Sequence, residues 1–365
     1  MTKLPKWVDI ALIPLINLFL ALVVSGLVVL YIGENPLQAI SILVNGAVGS
    51  SYGWGYTLYY ATNFIFTGLA VAVSFQAKLF NIGGEGQAAI GGLGVALVCL
   101  AIPWPHWLLA LPFAIVGGAV FGAAWAAIPA FLQATRGSHI VITTIMFNFI
   151  ASALMVYLLV NVLKKPGSMA PETARFPEGT FLPKAYDMFS ALGLPFSRSA
   201  PLNVTFFVAL LCCVLVYLLL WHTRLGYQIR AFGESEAAAR YAGISPVRMP
   251  VITMLLSGGL AGLMGINAVM GEAQRLVTDP VQGAGFVGIA VALMGRSHPL
   301  GVLLAGLLFG MLYQGGGELE FEIPAISREM ILVIQALVIL FTGALDNMIR
   351  MPVERLFTRA RKGTG

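Results

Sequence analysis

The chain has 365 residues, 58% of them hydrophobic and only 10% charged, with mean hydropathy +0.87. Soluble domains carry about 25% charged residues, so the composition excludes a soluble globular protein and indicates a polytopic membrane protein. The formal charge of +5 reflects basic residues gathered at one membrane face and does not indicate nucleic-acid binding.

With no water in the bilayer core, helices must satisfy their own backbone, so an all-α helical bundle is expected. A β-barrel would show short alternating segments, whereas these apolar runs are continuous and rich in Leu, Ala and Gly. The whole chain, 1–365, reads as one transmembrane domain.

Lys3 and Lys6 precede a charge-free run over 10–33. It is too long for a signal-peptide core and lacks a small-residue cleavage site, so it is expected to be a retained first span entered from the cytoplasm. The next charge-free stretch divides in two. Its Gly-, Ser-, Asn- and Tyr-rich first part is expected to lie on the outer membrane surface, and 58–76 to cross it. Residues 86–135 carry no charge and are long enough for two spans, turning at Pro103–Trp107. A further span is expected over 139–160, then a polar, Pro-rich external loop at 163–201, then a return over 202–221. Spans at 249–271, 297–317 and 330–345 follow, with 280–295 short for a full crossing.

This makes about ten membrane segments, or eight if the short pair is re-entrant, with both termini inside. On that layout 14 of the 21 Lys and Arg residues fall on the inner side. The bias places the polar segment 222–248 in the cytoplasm. Within it, residues 233–243 read as one short helix. Glu234 and Glu236 lie at its N-terminal end, Arg240 in its last turn and Gly243 just past it. The bland alternative is an ordinary solvated loop helix. A possible inverted repeat pairs 91–98 (GGLGVALV) with 287–294 (VGIAVALM), a plan known from transporters.

Polar residues inside apolar runs are candidates for a substrate pathway. The run 80–87, FNIGGEGQ, places Asn81, Glu85 and Gln87 among three glycines, which points to irregular backbone lining a cavity. The structural alternative is that Glu85 and Gln87 bond backbone and hold a bent helix. Asn148 lies within a span, and its neighbours Phe147 and Phe149 could stack a flat ring; interhelical bonding is the alternative. Asn63 and Gln314 are weaker candidates of the same kind. The four histidines sit unpaired at span edges and the three cysteines in apolar runs. No metal site, disulfide framework or catalytic residue is therefore indicated. A GxGxxG at 283–288 has no preceding strand, so it reads as close helix packing rather than dinucleotide binding. No P-loop is present.

Five stretches together resemble the permease of an ATP-binding-cassette importer of the branched-chain-amino-acid/ribose family, nucleoside-type branch. They are 80–87, 142–151 (ITTIMFNFIA), 223–244, 255–265 (LLSGGLAGLMG) and 285–310. The resemblance implies that Gly233, Glu234, Glu236, Ala237, Ala238, Arg240 and Gly243 form a coupling helix that docks into a separate ATPase subunit. That subunit would bind ATP–Mg, and this chain would carry no cofactor. A second permease, identical or related, and an external substrate-binding protein are implied as partners, with the bacterial inner membrane as the location. Purine nucleosides are the implied substrate class, and ribose or another simple sugar the alternative. One departure stands out: Gly83-Gly84 precede Glu85, where the family motif often has one glycine followed by valine. An ATP-independent secondary transporter would show ionisable relays in several spans, and only Glu85 is available here. A membrane enzyme would need clustered His, Asp or Glu.

Overall fold

The computed structural model describes residues 13–190 and 196–341, and these residues are helical with no strand. Length and apolar composition allow seven of the helices to cross a membrane, or eight if one sharply bent pair counts as a span. The described residues fall into two units, residues 51–310 and residues up to 50 with those from 311 onward.

In the terminal unit, α1 (Ile13–Tyr31) and α2 (Pro36–Val48) meet at a bend of 118°. Asn35 caps α2 by accepting the Leu37 N–H, and Pro36 supplies the fixed φ of a helix start. Val29 and Ala39 pack with Leu319, Ile323, Ile331 and Ile334 from the end of α13 (Pro299–Glu322) and from α14 (Arg328–Ile339). The expected inside location of both termini concerns residues outside the described ones.

The larger unit runs through α3 (Ser51–Gln76), α4 (Gly84–Ala101), α5 (Trp107–Arg136), α6 (Ile140–Asn161), the short α7 (Ala185–Ser190) and α8 (Thr205–His222). It continues with α9 (Arg224–Glu234), α10 (Glu236–Tyr241), α11 (Arg248–Gly262), a π-helical turn at Ile266–Ala273 and α12 (Ala284–Met294). The expected spans at 86–135, 139–160, 202–221 and 249–271 correspond to α4 with α5, α6, α8, and α11 with the π-helical turn. Residues 163–201 contain only a 3-10 turn and α7 among the described residues.

Two expectations need correction, and a third is met. Residues 51–57 do not form a surface segment but open α3, a 26-residue helix. Their tyrosines recur every four residues, which gathers them on one helical face and favours that conformation. The stretch at 280–295, expected to be short for a full crossing, yields α12, only 11 residues long. At 1.5 Å per residue that is about 16 Å, roughly half a bilayer core. Residues 233–243 are two helices, not one. Ser235 takes an extended conformation (φ −157°) and its hydroxyl accepts the Ala238 N–H at 3.3 Å, ending α9 and capping α10.

The core of this unit is a contact of glycine-bearing helices. A Cβ on Gly91 of α4 would collide with the backbone of Gly262 on α11. One on Gly122 of α5 would meet the Gly258 carbonyl. Without side chains at these points, three backbones approach closely, as helices do in lipid. The order helix, break, helix occurs twice, as α3, residues 77–83 and α4, and as α11 with the π-helical turn, residues 274–283 and α12. These are the two stretches whose sequences resemble one another.

Candidate functional site

Between α3 and α4 the chain leaves helical geometry, with Lys78 at φ +54°. Such a break exposes backbone donors and acceptors that hydrocarbon cannot satisfy. Side chains from other helices supply the partners. The buried Asn81 accepts from the Gly83 N–H at 2.9 Å and from Gln87 Nε2 at 3.1 Å. Its own Nδ2 donates to Gln87 Oε1 and to Ser257 Oγ, each at 2.8 Å. Ser257 in turn donates to the Ala70 carbonyl at 2.6 Å, tying α11 to α3. Asn148, from α6, clamps the break from the other side. Its Oδ1 accepts the Gly86 N–H and its Nδ2 donates to the Ile82 carbonyl, both at 2.9 Å.

Glu85, in the first turn of α4, reaches the start of α12. Its Oε1 accepts the Gly283 N–H at 2.8 Å and its Oε2 the Gly285 N–H at 2.7 Å. These are donors that a helix N-terminus leaves unpaired, at the positive end of its dipole. A carboxylate in apolar surroundings is thus held by two charge-assisted bonds without a basic partner. Gly283 sits at φ +82°, which glycine adopts without penalty, and a Cβ on Gly285 would strike the Glu85 backbone nitrogen. The small residues of 283–288 therefore serve close packing, as expected. Thr67 of α3 adds a bond to the Ala284 carbonyl at 3.0 Å.

Asn63 belongs to a second set of bonds. Its Oδ1 accepts from Asn267 Nδ2 at 2.8 Å, and Asn267 Oδ1 accepts from Asn203 Nδ2 at 2.9 Å. The sequence reading missed Ser257, Asn267 and Asn203. Asn267 meets the criterion that selected Asn148, a polar side chain deep in a charge-free run. Ser257 stands beside Gly258 and Gly259 and looks like a packing residue.

The Phe147 ring lies 5.4 Å from Trp125 of α5, whose Nε1 donates to the Phe147 carbonyl at 3.2 Å. Phe149 is exposed on α6, so the two rings do not form one slot. Gln314 belongs to the terminal unit, where it donates to Glu318 at 3.1 Å.

In 222–248, Thr223 caps α9, and Ile229, Phe232 and Gly233 turn inward. Gly233 is buried against the Gln76 carbonyl and Ala77 at the end of α3, where a Cβ would collide. Glu234 closes α9 and so lies at a helix C-terminus, opposite to the expected end. Glu236 opens α10, Arg240 is in its last turn, and Gly243 follows at φ +80°. Glu234, Glu236, Ala237, Ala238, Arg240 and Gly243 are exposed, as is Tyr241 at 98%. A cleft of about 520 Å³ opens beside them, lined by Lys78, Gln133, Glu234, Glu236 and Val247 among others. Among the described residues, no three His, Cys, Asp or Glu side chains are grouped to hold a metal ion.

Residues 53–343 match the family model of the branched-chain amino acid transport system permease component. The chain is 34% identical over 343 residues to the glucose ABC transporter permease protein TsgB13 of Haloferax volcanii, covering 92% of this chain and 88% of that one. It is 34% identical over 334 residues to the guanosine ABC transporter permease protein NupP of Bacillus subtilis, covering 91% and 93%. With the nucleoside ABC transporter permease protein NupB of Lactococcus lactis it shares 33% identity over 332 residues, 90% of each chain. No solved structure is a significant match. The family match over most of the chain, the apolar helices and the full-length likeness to three ABC permeases agree: this chain belongs to the branched-chain amino acid transport system permease family, as a multi-pass membrane permease of the ABC type.

Proposed function

We propose that this chain is a membrane subunit of an ATP-driven importer for nucleosides, moved by hydrolysis on a separate polypeptide. The observation that carries the reading is the placement of Gly233. Residues 234–243, exposed except for Ala239, follow a glycine packed on the last turn of α3, and the chain continues from that turn directly into Asn81 and Glu85. A push on the exposed segment has a short, stiff path to the break between α3 and α4. In this reading an ATPase subunit binds ATP–Mg and grips 234–243 on the cytoplasmic side. A second permease copy, identical or related, faces this one across the path, and an external binding protein delivers substrate. The membrane is the bacterial inner membrane. Asn81, Glu85, Gln87 and Asn148 shape the path by holding its broken helix, and α4 and α12 would open and close it together.

The substrate reading follows relatives named for guanosine and nucleosides. The relative named for glucose supports a second reading, import of ribose or another simple sugar. Uptake of radiolabelled guanosine, ribose and glucose by cells with and without this chain tests both. Guanosine uptake should vanish on deletion, return on complementation, and stop when arsenate depletes ATP. Loss of sugar uptake alone would transfer the assignment to sugars. Uptake that survives ATP depletion and stops with a protonophore would contradict the ATP-driven mechanism.

A further inference from the structure

An apolar groove of about 490 Å³ lies between α8 and the start of α13. Leu210, Val214 and Tyr217 line one wall, and His298, Leu300 and Leu303 the other. Val214 and Leu300 are exposed, so the groove opens outward from the bundle. Gln76 donates to the Ser297 carbonyl at 3.0 Å, and Gly233 packs on the same Gln76. The His298 end of the groove therefore sits at the membrane face of Gly233, and the apolar walls run from it into the bilayer. From Tyr217 to Leu210 they extend about 10 Å.

That end is built of hydrogen-bond donors. The Trp221 ring is centred 5.0 Å from His298 and 5.5 Å from Tyr217, stacked on the latter at 23°. Arg230, from α9, holds its guanidinium 5.9 Å from the Trp221 ring, and its Nε donates to the Leu220 carbonyl at 3.0 Å. His298 Nδ1 accepts the Leu300 N–H at 3.2 Å, which leaves the ring proton on Nε2. The Trp221 indole N–H, His298 Nε2 and the terminal nitrogens of Arg230 have no protein acceptor among the described residues. They gather at the N-terminus of α13, the positive end of a 24-residue helix. Residues 205–233 and 280–317, which form the groove and its rim, contain no Asp or Glu. Glu234, the next acid along α9, lines the separate cleft that holds Lys78.

An interfacial aromatic belt accounts for Tyr217 and Trp221, but not for a guanidinium and a helix N-terminus brought to the same rings. Water would satisfy the donors and leave the apolar walls wetted. A molecule with an apolar body and an anionic end satisfies both. We propose that the groove binds an anionic phospholipid, its phosphate at Trp221, His298 and Arg230 and one acyl chain between α8 and α13. Phosphate oxygens accept from all three donors, and the Arg230 bond is charge-assisted. A zwitterionic lipid brings an ammonium to the same basic rim and loses the net attraction. Bound there, the lipid joins α9 to the start of α13. On the importer reading the leaflet is the cytoplasmic one; the site itself does not depend on the substrate.

The test uses the full-length chain in neutral detergent, with dioleoyl phosphatidylglycerol and dioleoyl phosphatidylcholine as the added lipids and melting temperature as the readout. Phosphatidylglycerol should stabilise the parent at a concentration about tenfold below that needed for phosphatidylcholine. His298→Asp keeps a cap for α13 but turns an acceptor toward the phosphate, and should abolish that preference. Trp221→Phe keeps the ring and removes the N–H, and should weaken the phosphatidylglycerol response about fivefold. Val214→Trp fills the groove at an exposed position and should remove the response with the lipid-free melting temperature unchanged. Arg136→Gln removes a charge outside the groove and should leave the preference intact. Equal responses to the two lipids in the parent, or a preference that survives His298→Asp, would overturn the assignment. So would a Val214→Trp chain that loses self-association and keeps its lipid response, because a second permease would then cover the groove. If Arg136→Gln abolishes the preference as His298→Asp does, the attraction is diffuse and there is no site. Should Val214→Trp fail to fold, His298→Asp against Arg136→Gln decides.

Discussion

Glu85 and Gly285 are joined in two ways: the carboxylate of one accepts the N–H of the other at 2.7 Å, and the side chain that glycine lacks is the space the Glu85 backbone fills. Each half of the contact can be removed separately. Glu85→Gln replaces one carboxylate oxygen with an NH2 group that cannot accept a backbone N–H and removes the charge from the other bond, and charge-assisted bonds contribute about 1.5–3 kcal/mol. Gly285→Ala leaves the bonds chemically possible but forces the two helix starts apart, at a cost of about 1–3 kcal/mol. Both variants should unfold at lower temperature in detergent and lose uptake. Parental melting temperatures in both would mean that the contact does not hold α4 to α12.

Asn81 engages three partners around the break, and Ser257 only two. Asn81→Ala strands the Gly83 N–H and both ends of the Gln87 amide. Ser257→Ala frees one donor site on Asn81 and the Ala70 carbonyl. Each unsatisfied buried group costs about 1–3 kcal/mol, so Asn81→Ala should be the more destabilising. Denaturation of the two purified variants side by side gives the ranking, and the reverse order would show that water satisfies the break.

Gly233→Val places a branched side chain against the Gln76 carbonyl, where even a Cβ does not fit. The α9 end must then lift from α3, while Glu85, Asn81 and Asn148 keep their bonds. In the assembled transporter the expected result is ATP hydrolysis that continues with uptake reduced at least tenfold. Uptake and hydrolysis falling in strict proportion would argue that Gly233 matters for assembly and not for transmission.

Much of the helical plan was legible because bilayers demand long, uncharged runs, and α4, α5, α6, α8 and α11 announce themselves that way. The start of α3 was not, since its Gly, Ser and Tyr residues mimic a surface segment until the four-residue spacing of the rings is considered. Glu85 stood out as a charge without a basic partner. Its actual partners, two backbone N–H groups 198 and 200 residues away, have no side-chain signature. Ser235 was hidden for another reason: three following alanines favour a continuous helix, and only the local choice of an N-cap divides it. The aromatic neighbours of Asn148 read as a stacking pair, but positions two apart on a helix point about 200° apart around its axis, so Phe147 meets Trp125 while Phe149 faces outward.

The central claim is that an engine on another polypeptide grips the exposed stretch after Gly233 from the cytosol. A single cysteine at Ala237, exposed on α10, tests it with a membrane-impermeant maleimide. The native Cys99, Cys212 and Cys213 are buried and should contribute little background. The account predicts labelling in inside-out vesicles, none in intact cells, and protection when the ATPase subunit is co-expressed. Labelling from outside intact cells, or equal labelling with and without the ATPase, would contradict it.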